Sequence, residues 1–298
     1  MDKSIERIYI SCHKGDFWQT KICVASIRYW YPQIPIFLIK DLSSGQFDTS
    51  FLEYKFNVDI AKFPIDKFGW GVSKLEPYFI EEKVRCLILD SDIVFLGKVI
   101  DYLNIYEETI VVSSDGIKDE TSAWFKRTYY DLHQINSKID PDFKYPGFTF
   151  NTGQLVVDTN LLSRSDFDFA IEWSTPPKVK QPEIFACADQ GILNYYLPYL
   201  EQQGNLKIAK SSFKIWGNSP EVNTIDLKII QRKEGYPKLI HWAGGFRFME
   251  QLNRRDVIEF YQKEYYSRFS FGELRRKIEN FKLTIKFKYI LSIYKRLK

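Results

Sequence analysis

The sequence predicts an α/β protein built on a mostly parallel sheet with helices on both faces. Short apolar runs alternate with longer amphipathic segments along the chain. The runs are continuous and β-branched, the pattern of strands buried on both faces. The 298 residues suffice for one large domain with a small appendage.

The elements follow in order. Residues 7–12 (RIYISC) read as a buried strand, and residues 17–31 as a helix. That helix carries the apolar stripe Ile22, Ala25, Ser26, Tyr29 and Trp30, and Pro32 ends it. Residues 34–39 (IPIFLI) form a second strand, and residues 75–83 are expected to be helical. A third strand, 85–89 (RCLIL), and a fourth, 109–113 (TIVVS), follow, with two more expected at 151–158 and 238–242. The polar, turn-rich stretch 115–150 is an excursion from the sheet, with one helix expected near 120–134.

Composition is that of an ordinary globular protein, with 45% hydrophobic and 27% charged residues. Aromatics reach 17%, including 24 Phe and 19 Tyr. Most such rings belong to a core, and some can line a site for sugars or bases. Cys12, Cys23, Cys86 and Cys187 are scattered, with neither metal-ligand spacing nor a disulfide framework. Cys12 and Cys86 lie in strand-like runs and read as small core residues. The opening residues run from a charged stretch straight into a strand, without the apolar run of a signal peptide, and no stretch has the length and apolarity of a membrane span. A cytoplasmic location is the expectation.

Three Asp-x-Asp patterns occur: Asp90-Ser91-Asp92, Asp140-Pro141-Asp142 and Asp166-Phe167-Asp168. The second and third lie in polar loop sequence and read as turn or cap residues. Asp90 instead ends the buried run CLIL and precedes the apolar run Ile93-Val94-Phe95-Leu96. Its turn therefore sits at the C-terminal mouth of a central strand, where open α/β sheets bind ligands. Paired carboxylates in such a place repel each other and lose hydration unless a cation or several donors compensate. Oxygen ligands there suit Mn²⁺ or Mg²⁺ between carboxylates and phosphates. Capping a turn is the plainer alternative.

Three further segments, FNTGQLVV from Phe150, ADQGILN from Ala188 and HWAGGFR from His241, follow LILDSDIVFL. GVSKLEPY, with Lys74, precedes it. In this order the motifs resemble the retaining family 8 glycosyltransferases, the group of glycogenin and the bacterial lipopolysaccharide galactosyl- and glucosyltransferases. The resemblance spans about residues 6–250. It implies the GT-A, Rossmann-like nucleotide-diphospho-sugar transferase fold over residues 1–250, a UDP-sugar donor, and a saccharide or glycolipid acceptor. It also implies a metal, usually Mn²⁺, held by Asp90, Asp92 and His241. His241 follows the apolar Leu239-Ile240 and so belongs at a strand end, where a neutral imidazole joining two carboxylates makes a plausible site.

The resemblance extends to other residues. The family's histidine motif continues with a glycine, matched by Gly244, and a lysine, replaced here by Arg247, which can still clamp a diphosphate. Lys74 would lie near the donor diphosphate, and Asn151 would bind the donor sugar. The acid that often precedes this Asn is missing from Tyr145 to Thr149, the nearest being Asp142. Asp189 and Gln190 are the candidates at the reaction centre: the amide would steady an oxocarbenium-like centre and the carboxylate would hold sugar hydroxyls. Asp189 also reads as a helix cap. Ser11, His13 and Ser91 are placed toward the nucleotide.

Residues 271–298 hold nine Lys and Arg against two Glu, while the rest holds 33 against 36. Apolar residues at 283, 287, 290, 291, 294 and 297 recur at helical spacing among lysines. Residues 251–298 thus read as a basic helical extension, either peripheral on the inner face of an anionic membrane or packed on the catalytic domain. The acidic body and the lack of any binding motif argue against nucleic acid. Two other functions stay open: a sugar-1-phosphate nucleotidyltransferase, against which the single glycine in SCHKGD counts, and a non-catalytic membrane-surface module on the same fold.

Overall fold

The computed structural model describes residues 3–69, 71–244 and 249–296. Twelve strands and nine α-helices are described among them. β1 (Arg7–His13), α1 (Phe17–Trp30), β2 (Ile36–Asp41), α2 (Ser50–Phe56) and β3 (Val58–Ile60) come first, followed by β4 (Arg85–Asp90) and β5 (Ile93–Phe95). Next come α3 (Val99–Leu103), β6 (Ile110–Gly116), α4 (Ala123–Thr128), α5 (Leu132–Lys138) and β7 (Thr149–Asp158). The short hairpin β8 (Ile171–Glu172) and β9 (Lys178–Val179) precedes α6 (Asp189–Gln202), β10 (Ile208–Ser211) and β11 (Lys214–Trp216). The chain ends with α7 (Leu227–Gln231), β12 (Leu239–His241), α8 (Arg255–Tyr266) and α9 (Gly272–Arg296).

The main sheet has seven strands in the order β10-β6-β7-β4-β1-β2-β3. β7 runs antiparallel to both its neighbours and the other pairs are parallel. Successive side chains of β4 enter opposite cores. Leu87 and Leu89 pack with Ile8, Ile10 and α1 on one face, and Cys86 and Ile88 pack with α6 on the other. This double burial is why the strands read as unbroken apolar runs. Cys12, Cys23 and Cys86 are buried free thiols.

A smaller sheet, β11-β12-β5, abuts the first. The polypeptide leaves the main sheet at Asp90 and enters the small one at Ile93, so the acidic turn joins the two. β5 pairs antiparallel with β12, setting Ile93 opposite His241.

Two expected helices differ. Residues 72–79 form a 3₁₀ stretch instead of an α-helix over 75–83, because Pro77 lies inside it and lacks the N–H an α-turn needs. The excursion holds two short helices in place of one. Asp131 caps the second by accepting from the His133 and Gln134 amides, so the chain breaks where a continuous helix was expected. The other two Asp-x-Asp patterns are local: Asp140 accepts from the Asp142 amide, and Asp166 completes a capping box with Ser163.

α8 joins the core of the α1 face through Val257, Ile258, Tyr261, Tyr265 and Tyr266. Tyr261 Oη donates to the Phe95 carbonyl at 2.5 Å and accepts from Trp30 Nε1 at 3.0 Å. On α9, Leu283 packs against that core and Phe287 is half-buried, so this part of the expected tail stripe turns toward the protein. The side chains at 290, 291 and 294, and residue 297, lie outside the described set. No helix among the described residues is long and apolar enough to cross a membrane.

Tyr261→Ala should lower unfolding free energy by about 3–5 kcal/mol in urea titrations, as loss of a fully buried aromatic does. Tyr261→Phe should cost only about 1 kcal/mol. An unchanged main transition in the alanine variant would show that α8 folds apart from the sheet.

Candidate active site

A cavity of about 1070 Å³ opens at the C-terminal ends of β1, β4 and β6, where the two sheets meet. Ser11, His13, Lys74, Asp90, Ser91, Asp92, Asn151, Asp189, Gln190, His241 and Gly244 all line it. Every predicted site residue within the described set is therefore brought to one cavity. Arg247 lies outside the described residues.

The register explains the convergence. Ser11 pairs with Asp90 between β1 and β4, and His241 ends β12 beside Trp216 of β11. The Trp242 amide donates to the Asp92 carbonyl at 3.1 Å, which fixes the histidine against the acidic turn. His241 is buried and stacks on the Trp216 ring, with centroids 5.3 Å apart.

Asp90, Asp92 and His241 present ligand atoms within 4.8 Å of one another. His241 Nε2 lies 3.0 Å from Asp92 Oδ1 and 3.8 Å from Asp90 Oδ2. Asp92 Oδ1 and both ring nitrogens of His241 are nonetheless buried atoms without a hydrogen-bond partner. Buried polar atoms rarely stay unsatisfied, and together with the nearby Asp90 carboxylate they form an oxygen–oxygen–nitrogen set that fits a divalent cation. Gly153 keeps the space open. A Cβ there would lie 2.4 Å from His241 Cε1 and 2.6 Å from Asp90 Oδ2.

Lys74 is buried. Its Nζ bridges Asp90 Oδ1 at 2.9 Å and Asp189 Oδ2 at 3.0 Å. Burial pulls the ammonium's pKa down, but the two carboxylates outweigh it and the net shift is upward. Burial pushes the Asp189 carboxyl up, with Lys74 opposing. At Asp92 burial also works to raise the pKa, but the adjacent His241 prevails and the carboxyl is held below its ordinary value. One ammonium thus bridges two of the three carboxylates, and the third, Asp92, faces His241, an arrangement that leaves negative charge for a cation to offset.

The strand facing the acids is fixed by α6. Gln190 Oε1 accepts from the Asn151 side chain at 3.2 Å and the Thr152 amide at 3.0 Å, while its Nε2 donates to the Phe150 carbonyl at 2.8 Å. Thr152 Oγ1 donates to Asp189 Oδ2 at 2.6 Å. Asp189 and Gln190 open α6, so the first turn of that helix locks β7 in place. Ser11 Oγ lies 2.5 Å from Ser73 Oγ, and His13 Nδ1 accepts from the Gly15 amide at 2.7 Å. Ser91 hydrogen-bonds the Asp16 carboxylate. Gly244 sits at φ +109, a conformation that L side chains rarely adopt.

Sequence reasoning missed Asp115. Asp142 is exposed and does not line the cavity; the acid on that side is Asp115, at the end of β6. Asp115 Oδ1 accepts from Lys214 Nζ at 2.6 Å and Trp216 Nε1 at 3.0 Å, and its Oδ2 is a buried atom without a hydrogen-bond partner. Two serines separate it from the apolar run Ile110–Val112, so the rule that singled out Asp90, a carboxylate directly ending such a run, passes it by. Lys214 Nζ lies 3.6 Å from the Trp216 ring centroid, and burial lowers its pKa to about 8 against the pull of Asp115. Trp124, Thr128 and Tyr129 of the excursion complete the rim.

Gly153→Ala should weaken divalent-cation binding, read by calorimetry, at least about tenfold. Unchanged affinity would mean that the Cβ position does not adjoin the cation. Lys214 supplies a pH test. Between about pH 8 and its ordinary value of 10.5 the folded chain holds fewer protons than the unfolded one, so this group adds stability as pH rises through that window. Lys214→Met should remove that rise from unfolding curves.

Comparisons with known proteins bear on the family and the fold. The model of glycosyl transferase family 8 matches residues 74–248, which include Lys74, the acidic turn, Asn151, Asp189, Gln190 and His241. No curated protein matches the chain. Among solved structures, the bifunctional glycosyltransferase WbbM superposes with a TM-score of 0.54 at 14% identity, the match covering 90% of this chain and 52% of that one. The glycosyltransferase GlyE of Streptococcus pneumoniae TIGR4 superposes with a TM-score of 0.50 at 15% identity, covering 87% of this chain and 60% of that one. The chain thus spans little more than half the length of these proteins, and at such identities the likeness speaks for the fold. With the family model matched over more than half of its length, the chain belongs to glycosyl transferase family 8 and has the GT-A fold.

Proposed function

We propose that this chain is a glycosyltransferase that moves a hexose, with retention of configuration, from a UDP-sugar to a saccharide or lipid-linked glycan acceptor. Asp90, Asp92 and His241 would hold a Mn²⁺ or Mg²⁺ ion. The observation carrying this reading is the convergence of two carboxylates and a buried imidazole on the cavity wall, inside the segment that matches the family. The ion, when bound, supplies Lewis-acid stabilisation of the donor diphosphate.

The chain's own residues supply the rest. Lys74 keeps Asp90 and Asp189 at fixed positions and offsets part of their charge. Gly244, without a side chain, lets backbone amides approach the diphosphate, and Arg247 is the cation proposed to clamp it. Ser11, His13 and Ser91 line the nucleotide side. Asn151 and Asp189 are the amide and carboxylate proposed for the donor-sugar hydroxyls. Gln190 is the proposed dipole at the reaction centre. Its orientation is fixed by the Asn151 and Thr152 donors and by the Phe150 carbonyl, so its field needs no reorganisation during transfer. We further propose that residues 1–250 form the catalytic unit and that 251–298 extend it.

Asp92→Asn should weaken cation-dependent UDP binding by about 10- to 100-fold in calorimetry and abolish most transfer. UDP affinity indifferent both to this substitution and to a chelator would sink the metal reading. Screening UDP-hexoses with NMR of the product anomer tests the stereochemistry. Inverted product would refute retention while leaving the metal site standing.

A further inference from the structure

α9 presents an apolar stripe to solvent. Phe271, at its start, and Leu274, Ile278, Phe281, Ile285 and Tyr289 are 46–83% exposed. At about 100° per residue the five from Leu274 to Tyr289 fall within roughly 80° of arc, a narrow continuous line over the helix, and Phe271 immediately precedes it. The opposite face is the one that holds α9 to the body, largely by polar contacts. Glu279 pairs with Lys21, Asn280 and Gln262 exchange hydrogen bonds at 2.6 and 3.1 Å, and Leu283 packs against the core. Surface helices ordinarily turn their apolar stripe inward, and soluble monomers rarely expose apolar patches this extended.

The flanks identify the partner. Arg275, Lys282 and Lys286 lie along one side of the stripe, and Lys277 and Lys288 along the other, all exposed. Among the described residues the four lysines make no ion pair. Both acids of α9 are engaged within the chain, Glu273 with Arg276 and Glu279 with Lys21. A second copy of α9 laid on this stripe would set cation against cation on both sides. An anionic phospholipid surface offers what the face lacks, an acyl boundary for the stripe and negative headgroups for its flanks. We propose that α9 is an interfacial helix that docks the protein on anionic membrane through the line Phe271, Leu274, Ile278, Phe281, Ile285 and Tyr289. The lipid-facing line differs from the 283/287 line that the tail's spacing suggested, and it does not depend on the transfer chemistry.

The test uses the full chain and sedimentation with phosphatidylcholine vesicles, with and without phosphatidylglycerol. Binding is expected only with phosphatidylglycerol, weakening with salt. Phe281→Glu combined with Ile285→Glu should abolish it with an unchanged circular dichroism spectrum, since both side chains are exposed. Lys282→Gln and Lys286→Gln should each weaken it about fivefold. Failure to bind anionic vesicles, or binding indifferent to the double glutamate variant, would overturn the proposal. So would a dimer in sedimentation equilibrium that the same double variant dissociates, which would make the stripe a subunit interface.

Discussion

The site depends on one electrostatic constraint: three carboxylates, Asp90, Asp92 and Asp189, meet at the junction of two sheets with one lysine between them. In water their repulsion would be screened. In a corner walled by Ile93, Trp216 and His241 it must be met by specific partners. Lys74 meets part of it and is itself held charged by the acids it separates. The remainder falls on the space kept clear by Gly153, where any side chain would strike the histidine and the carboxylate.

The two-sheet architecture follows from the same corner. β4 must end at Asp90 for its carboxylate to reach the cavity, and β5 must begin at once for the antiparallel pairing to bring in His241. β7, inserted antiparallel between β4 and β6, delivers Asn151 and Gly153 to the same edge. The opening turn of α6 then fixes β7 through Asp189 and Gln190, so the residues proposed to meet the donor sugar are also those that hold the strand. Pre-organisation of the site and stability of the sheet edge are one set of hydrogen bonds.

Much of this was legible in the chain. The central strands β1, β4, β6 and β7 appear as apolar runs because burial on both faces leaves no alternation to disguise them. The acidic turn stood out from two identical patterns because it interrupts such a run. Ser122 and Asp131, as caps, mark starts of two short helices in the excursion, and Pro77 marks the tightened turn that carries Lys74. These local signals were present but were outweighed by periodicity. Short strands such as β3, β10 and β11 carry too few residues for any pattern to declare itself.

By itself the sequence determined where the chain is buried on two faces, where its carboxylates interrupt that burial, and where its basic charge gathers. These depend on neighbours along the chain, whose spacing fixes their face. Only the tertiary structure decided that Lys74 bridges Asp90 and Asp189, that Asp115 and not Asp142 lines the cavity, and which side of α9 faces outward. Those depend on strand register and on the rotation of packed helices. Both are set by contacts between residues far apart in sequence, and no local pattern records them.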